Sequence, residues 1–200
     1  MIRPIPCLLW MCCVLTACQA GSGDPPDSPA HAQPAAGAEA TTLDDGSAPA
    51  ELATIAGLLR ARHIDDLPSA EQLARYPSAE ASLVELARKG ETMLVRTRAL
   101  TLLRHFHSES TGALLIEIVS DAQAHPALRA GAVTGLAGQP LDQHPERLAI
   151  VVAALADADP RVGVAAVEVL ATFEAGREAL RDAAGREDLG PTVRAAIESR

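Results

Sequence analysis

In the second half of the chain the hydrophobic residues fall in a pattern that returns about every 33 positions. Four segments open alike: Met93-Leu94-Val95-Arg96, Pro126-Ala127-Leu128-Arg129, Pro160-Arg161-Val162-Gly163 and Pro191-Thr192-Val193-Arg194, with their third residues 33, 34 and 31 positions apart. The column Val95/Leu128/Val162/Val193 is followed four residues later by Ala99/Ala132/Ala166/Ile197, and four further on by Leu103/Leu136/Leu170. A stripe at i, i+4 and i+8 is one buried face of an α-helix. Alanine in the middle column lets helices approach closely, and Ile197 departs from it in the last helix. Pro126, Pro160 and Pro191 suit the first helical position, where a missing N–H costs nothing, and Asp159 suits the N-cap before Pro160.

Between these openings the pattern predicts second helices over 109–120, 144–156 and 175–185, as in the run Leu114-Leu115-Ile116-Glu117-Ile118-Val119. Upstream, helices are predicted over 51–63 and 78–89, around a connection containing Pro68 and Pro77. The expected fold is all-α: an irregular N-terminal cap over 51–90, then about three and a half helix pairs over 91–200. One pair cannot bury its apolar face alone, so stacking must supply the stability. A unit of about 33 residues, with Pro and Asp in the turn and Val-Arg, Ala, Ala and Leu in the first helix, resembles HEAT-like repeats, most closely the short type first noted in bilin lyases. The resemblance covers about residues 78–200 and implies an α-solenoid. Gly163 stands where the family has Arg, and Ala122 to His125 lengthen one turn.

Composition divides the chain. Residues 19–50 hold Asp24, Asp27, Glu39, Asp44 and Asp45, no Lys or Arg, five prolines, and Leu43 as the single large aliphatic residue. Such a segment cannot offset its chain entropy by burial. It reads as a disordered tether of roughly 30 Å root-mean-square span. Ahead of it, Arg3 precedes a mostly apolar run from Ile5 to Ala17, the architecture of a signal peptide. About 13 helical residues reach only about 20 Å, short of the roughly 30 Å hydrocarbon core of a membrane. All four cysteines, Cys7, Cys12, Cys13 and Cys18, lie in the first 18 residues, which leaves an exported domain free of thiols to mispair.

Leu15-Thr16-Ala17-Cys18 resembles the lipobox of bacterial lipoproteins. The resemblance implies a signal peptide over 1–17, cleavage between Ala17 and Cys18, and lipid on the Cys18 sulfur. Small residues before the cysteine suit a protease site, and the thiol is the nucleophile that takes the lipid. Gln19 in place of Asp implies, by similarity to Gram-negative lipoproteins, sorting to the outer membrane rather than the inner. Several acyl chains at about 0.8 kcal/mol per buried CH₂ anchor such a chain firmly.

The net charge of −9 becomes −10 once Arg3 leaves, and the five tether acids leave about −5 on the helical part. A nucleic-acid partner calls for a basic patch, and an electrostatic membrane partner for a Lys/Arg cluster beyond the leader; neither is present. His105 and His107 flank Phe106, but residues two apart on a helix point about 200° from one another. One half-buried and one solvated histidine are expected there, with no metal. No Gly-x-Ser-x-Gly elbow occurs, and Ser108 and Ser110 read as a helix start near Thr111. Phe106 and Phe173 read as core. Arg96, Arg129 and Arg194, near Glu91, Asp121 and Asp188, could form a ladder linking turns.

These readings point to a non-enzymatic envelope module without cofactor or small-molecule substrate. It binds another protein and is attached to the membrane through its lipid. Polar positions on the second helices, such as Arg147 and Glu178, are the expected binding face. The alternative, by resemblance to the bilin lyases, is an enzyme or enzyme subunit, and a third reading is a spacer between membrane and wall.

Overall fold

The computed structural model describes residues 47–63 and 66–200. The expected leader, the Ala17–Cys18 junction and the tether as far as residue 46 lie outside the described residues. Among the described residues the fold is all-helical: α1 Ser47–Leu59, α2 Ala70–Leu73, α3 Ala79–Lys89, α4 Met93–Leu102, α5 Glu109–Ser120, α6 Pro126–Leu136, α7 Pro145–Ala153, α8 Pro160–Leu170, α9 Glu174–Ala183 and α10 Pro191–Glu198.

The helix starts follow local chemistry. Thr92 Oγ1 accepts the Val95 N–H at 3.2 Å, Ser108 Oγ that of Thr111 at 3.1 Å, and Asp159 Oδ1 that of Arg161 at 3.0 Å. Each satisfies a donor that the first helical turn leaves free. Pro126, Pro145, Pro160 and Pro191 open α6, α7, α8 and α10. The helix expected over 51–63 is shifted to Ser47–Leu59. Pro49 is tolerated because it stands in the first turn, where no N–H is needed, and at the other end Arg98 Nη1 of α4 donates to Leu59 O at 2.8 Å and Ala61 O at 2.5 Å. The connection after it contains the short α2, fixed by a capping box between Ser69 and Gln72 and by buried Leu73.

The three apolar columns form the centre of the core. Val95, Leu128, Val162 and Val193 are buried, as are Ala99, Ala132, Ala166 and Ile197 and, at the helix ends, Leu103, Leu136 and Leu170. Full burial of each Leu or Val contributes about 2 kcal/mol. The columns meet because α4 packs on α6, α6 on α8 and α8 on α10, while α3 packs on α4, α5 on α6 and α9 on α8. Helix α1 packs on α3 and α4, and α5 touches α7.

Candidate partner-binding surface

Glu178 is exposed on α9, as a surface position must be. Arg147 is not such a position. Its side chain is only 5% exposed, with Nη2 at 2.5 Å from Glu109 Oε2 and Nη1 at 3.4 Å from Gln139 Oε1. The cause lies in the register of α7: Arg147 stands in its first turn and reaches back across α5. There Gly112 leaves room for it, since a Cβ at that position would lie 2.6 Å from Arg147 Nη1. Gln139 in turn donates from Nε2 to Phe106 O at 2.7 Å. Arg147 is a strut between α5, α7 and the α6–α7 connection, not a free contact.

A ladder does run along the protein, on α1, α3, α5 and α7. Glu51 of α1 accepts from both the backbone N–H (3.0 Å) and the hydroxyl of Ser78, where α3 begins. Glu80 of α3 accepts from the Ser108 hydroxyl and, at 2.6 Å, from that of buried Thr111, where α5 begins. Glu109 of α5 then holds Arg147 of α7. Carboxylates at helix N-termini meet free N–H groups and the positive end of the helix dipole.

The arginine column expected to link turns behaves differently at each position. Arg96 Nε donates to Ala87 O at 3.1 Å, Arg194 is exposed, and Arg129 pairs with Asp157 rather than Asp121. Asp121 Oδ1 accepts the Gln123 N–H, Glu91 meets Arg60 at 2.6 Å, and Asp188 meets Arg186 at 2.6 Å. Around the turn before α8, burial works against the Asp157 carboxylate, but Arg129 and the Asp159 N–H outweigh it and hold its pKa below the usual value. The side chain and backbone N–H of Arg161 bring Asp159 down to about 2.

A cleft of about 570 Å³ lies between α9 and α10. Leu180, Ala184, Ala171 and Ile197 form its apolar floor, and Arg177, Arg181 and Arg200 stand on its rim with Glu198. The four-residue spacing of Arg177 and Arg181 puts both on one face of α9, one turn apart. That spacing is visible in Glu174-Ala-Gly-Arg-Glu-Ala-Leu-Arg181, but in sequence alone it is the pattern of any solvated helix face.

His105 is half-buried and His107 exposed, although not on one helix: the helical stretch ends in a 3₁₀ turn over Leu103–His105, and His107 follows in the loop. Burial, then the neighbouring Arg104 and His107, hold the His105 pKa below the ordinary imidazole value. Ser108 caps α5 as the sequence implies. Phe106 and Phe173 are half-buried against the core. Among the described residues no group of three or more His, Cys, Asp or Glu side chains is arranged to hold a metal ion. No helix among them is long and apolar enough to cross a membrane. No protein-family model matches the chain, and no curated protein matches it in sequence.

Proposed function

We propose that the chain is a lipid-anchored protein of the bacterial cell envelope whose helices form a HEAT-like solenoid that binds another protein without catalysis. The observation that carries the repeat reading is the column Val95/Leu128/Val162/Val193, buried in four alternate helices, α4, α6, α8 and α10, that contact one another in order. A helix series of this kind presents a continuous side made by the second helices, and extended sides of stacked repeats suit protein recognition. The lipobox-like Leu15–Cys18 and the acidic, proline-rich segment behind it supply the address: a domain held by Cys18 at the outer membrane and carried off its surface by a tether. Confinement near a membrane raises the effective concentration of the domain toward partners there.

The test is to express the full-length protein with a C-terminal tag beside a Cys18→Ala variant, following mass and membrane fractionation, with photo-crosslinkers on the exposed second-helix positions. A lipid-dependent mass, membrane attachment lost in the variant, and a selective crosslinked partner support the reading. A soluble, unmodified chain overturns the anchor, and an absence of selective crosslinks from any face overturns the binding role.

A further inference from the structure

From the α9–α10 cleft we infer the chemistry of the partner: an amphipathic helix that lays an apolar stripe on the cleft floor and turns acidic side chains toward its arginines. This rests on the partner-binding reading and gives it a location. The floor is made by Leu180 and Ile197, both at the edge of the core, with Ala171 and the exposed Ala184 beside them. Small residues next to large ones leave a trough, which a row of side chains at i, i+3 or i+4 and i+7 fills from above.

The rim determines the sign of the occupant. Arg177, Arg181 and Arg200 are between about half and two-thirds exposed, and Glu198 is the single carboxylate in the lining. Their intramolecular partners leave capacity over. One carboxylate, Glu174, serves two guanidinium groups, meeting Arg177 at 2.7 Å and Arg181 at 3.6 Å, while Arg200 stands 4.0 Å from Glu168. Arg177 is further held by Ala171 O at 3.3 Å, which fixes it at the edge of the floor. Each guanidinium carries five N–H donors in a planar fork suited to carboxylates. Three guanidinium groups against one carboxylate in the lining, around an apolar floor, favour an acidic amphipathic segment over a basic one.

A randomised library of displayed helical peptides, selected on the full-length chain purified in detergent, tests this. The enriched peptides should carry apolar residues at helical spacing flanked by Asp or Glu. The Arg177→Glu/Arg181→Glu double variant, shown to be folded by its circular dichroism and melt, should bind them about ten-fold or more weakly. Peptides with those acids changed to Lys should recover binding to the double variant. Ala184→Glu, which charges the floor without removing an arginine, should also weaken binding. The inference is overturned if no peptides enrich, if they carry no acidic bias, or if they bind the double variant as well as the parent. Sedimentation that reveals a dimer dissolved by Arg181→Glu also overturns it, by making a second copy the occupant. Selective crosslinks from α5 or α7, unaffected by the cleft substitutions, would sink the cleft assignment while leaving the partner-binding reading in place.

Discussion

Arg129 on α6 and Asp157 in the turn before α8 meet through two parallel hydrogen bonds, Nε to Oδ2 at 2.9 Å and Nη2 to Oδ1 at 2.7 Å, with side chains only 9% and 15% exposed. The third nitrogen of Arg129, Nη1, reaches Ala124 O at 2.5 Å, so one guanidinium ties the turn that leads into α6 to the turn that leads into α8. Asp157 also accepts the Asp159 N–H at 2.8 Å, and Asp159 caps α8. Register between α6 and α8 is thus fixed by charge at the turn as well as by the apolar column.

Removing one member of a sequestered, two-pronged pair leaves the other without compensation, at a cost of about 3 kcal/mol. Asp157→Asn should therefore lower the thermal midpoint by about 10 °C at pH 7. The folded pKa of Asp157 lies below its ordinary 3.8, so its stabilisation is fully present above that value and is lost as pH falls through the folded pKa. Melts of parent and variant recorded from pH 7 downward should converge in strong acid. A gap that stays constant to the lowest pH would contradict the pairing.

Leu136 is fully buried at the end of the column on α6. Leu136→Asp places a charge among Leu and Val side chains with no partner, a change whose cost exceeds the few kcal/mol by which such a domain is stable. Circular dichroism should show loss of the cooperative helical melt. A melt near the parent midpoint would mean that the column is not the packing axis.

The helices and their buried faces were legible because a spacing of four and a return near 33 residues leave little freedom in where Val95, Ala132 or Leu170 can point. Asp159 and Ser108 were legible because capping is decided within three residues of chain. Arg147 was not, because its burial depends on the absence of a side chain at Gly112, 35 positions away, and on Gln139 in an intervening connection. The carboxylates Glu51, Glu80 and Glu109 escaped for a similar reason: each acts on the start of a helix at least 27 residues downstream, and an exposed-looking glutamate carries no sign of that target. Cys18 and Ala17 lie outside the described residues, so their role rests on sequence alone.

Gly163 permits a close crossing of α8 and α10. A Cβ there would lie 2.5 Å from Val193 Cγ2 and 3.0 Å from Leu155 O. Gly→Ala inside a helix gains about 0.5–1 kcal/mol in propensity, whereas overpacking a filled site costs about 1–3 kcal/mol. Overpacking wins, so Gly163→Ala should destabilise by about 1 kcal/mol in urea melts, and the larger Gly163→Arg by more. A stabilised Gly163→Ala protein would show that α8 and α10 are not in contact there.

The Arg147–Glu109 pair is asymmetric, and its two halves should behave differently. Arg147 is 5% exposed and Glu109 79% exposed. In Arg147→Met the apolar stem is preserved, Glu109 remains solvated, and Gln139 Oε1 loses one long hydrogen bond, so the expected cost is about 1–2 kcal/mol. In Glu109→Ala the sequestered guanidinium keeps only Gln139 and, at 4.0 Å, Glu146. Stranding a buried charge is the more expensive change, about 3 kcal/mol. Glu178→Lys, on the exposed side of α9, should shift stability by no more than about 0.5 kcal/mol. Urea unfolding of the three variants checks the order Glu109→Ala, Arg147→Met, Glu178→Lys, from most to least destabilised. If Arg147→Met matched Glu178→Lys in stability yet abolished crosslinking to a partner, Arg147 would be a contact residue after all and the strut assignment would fall.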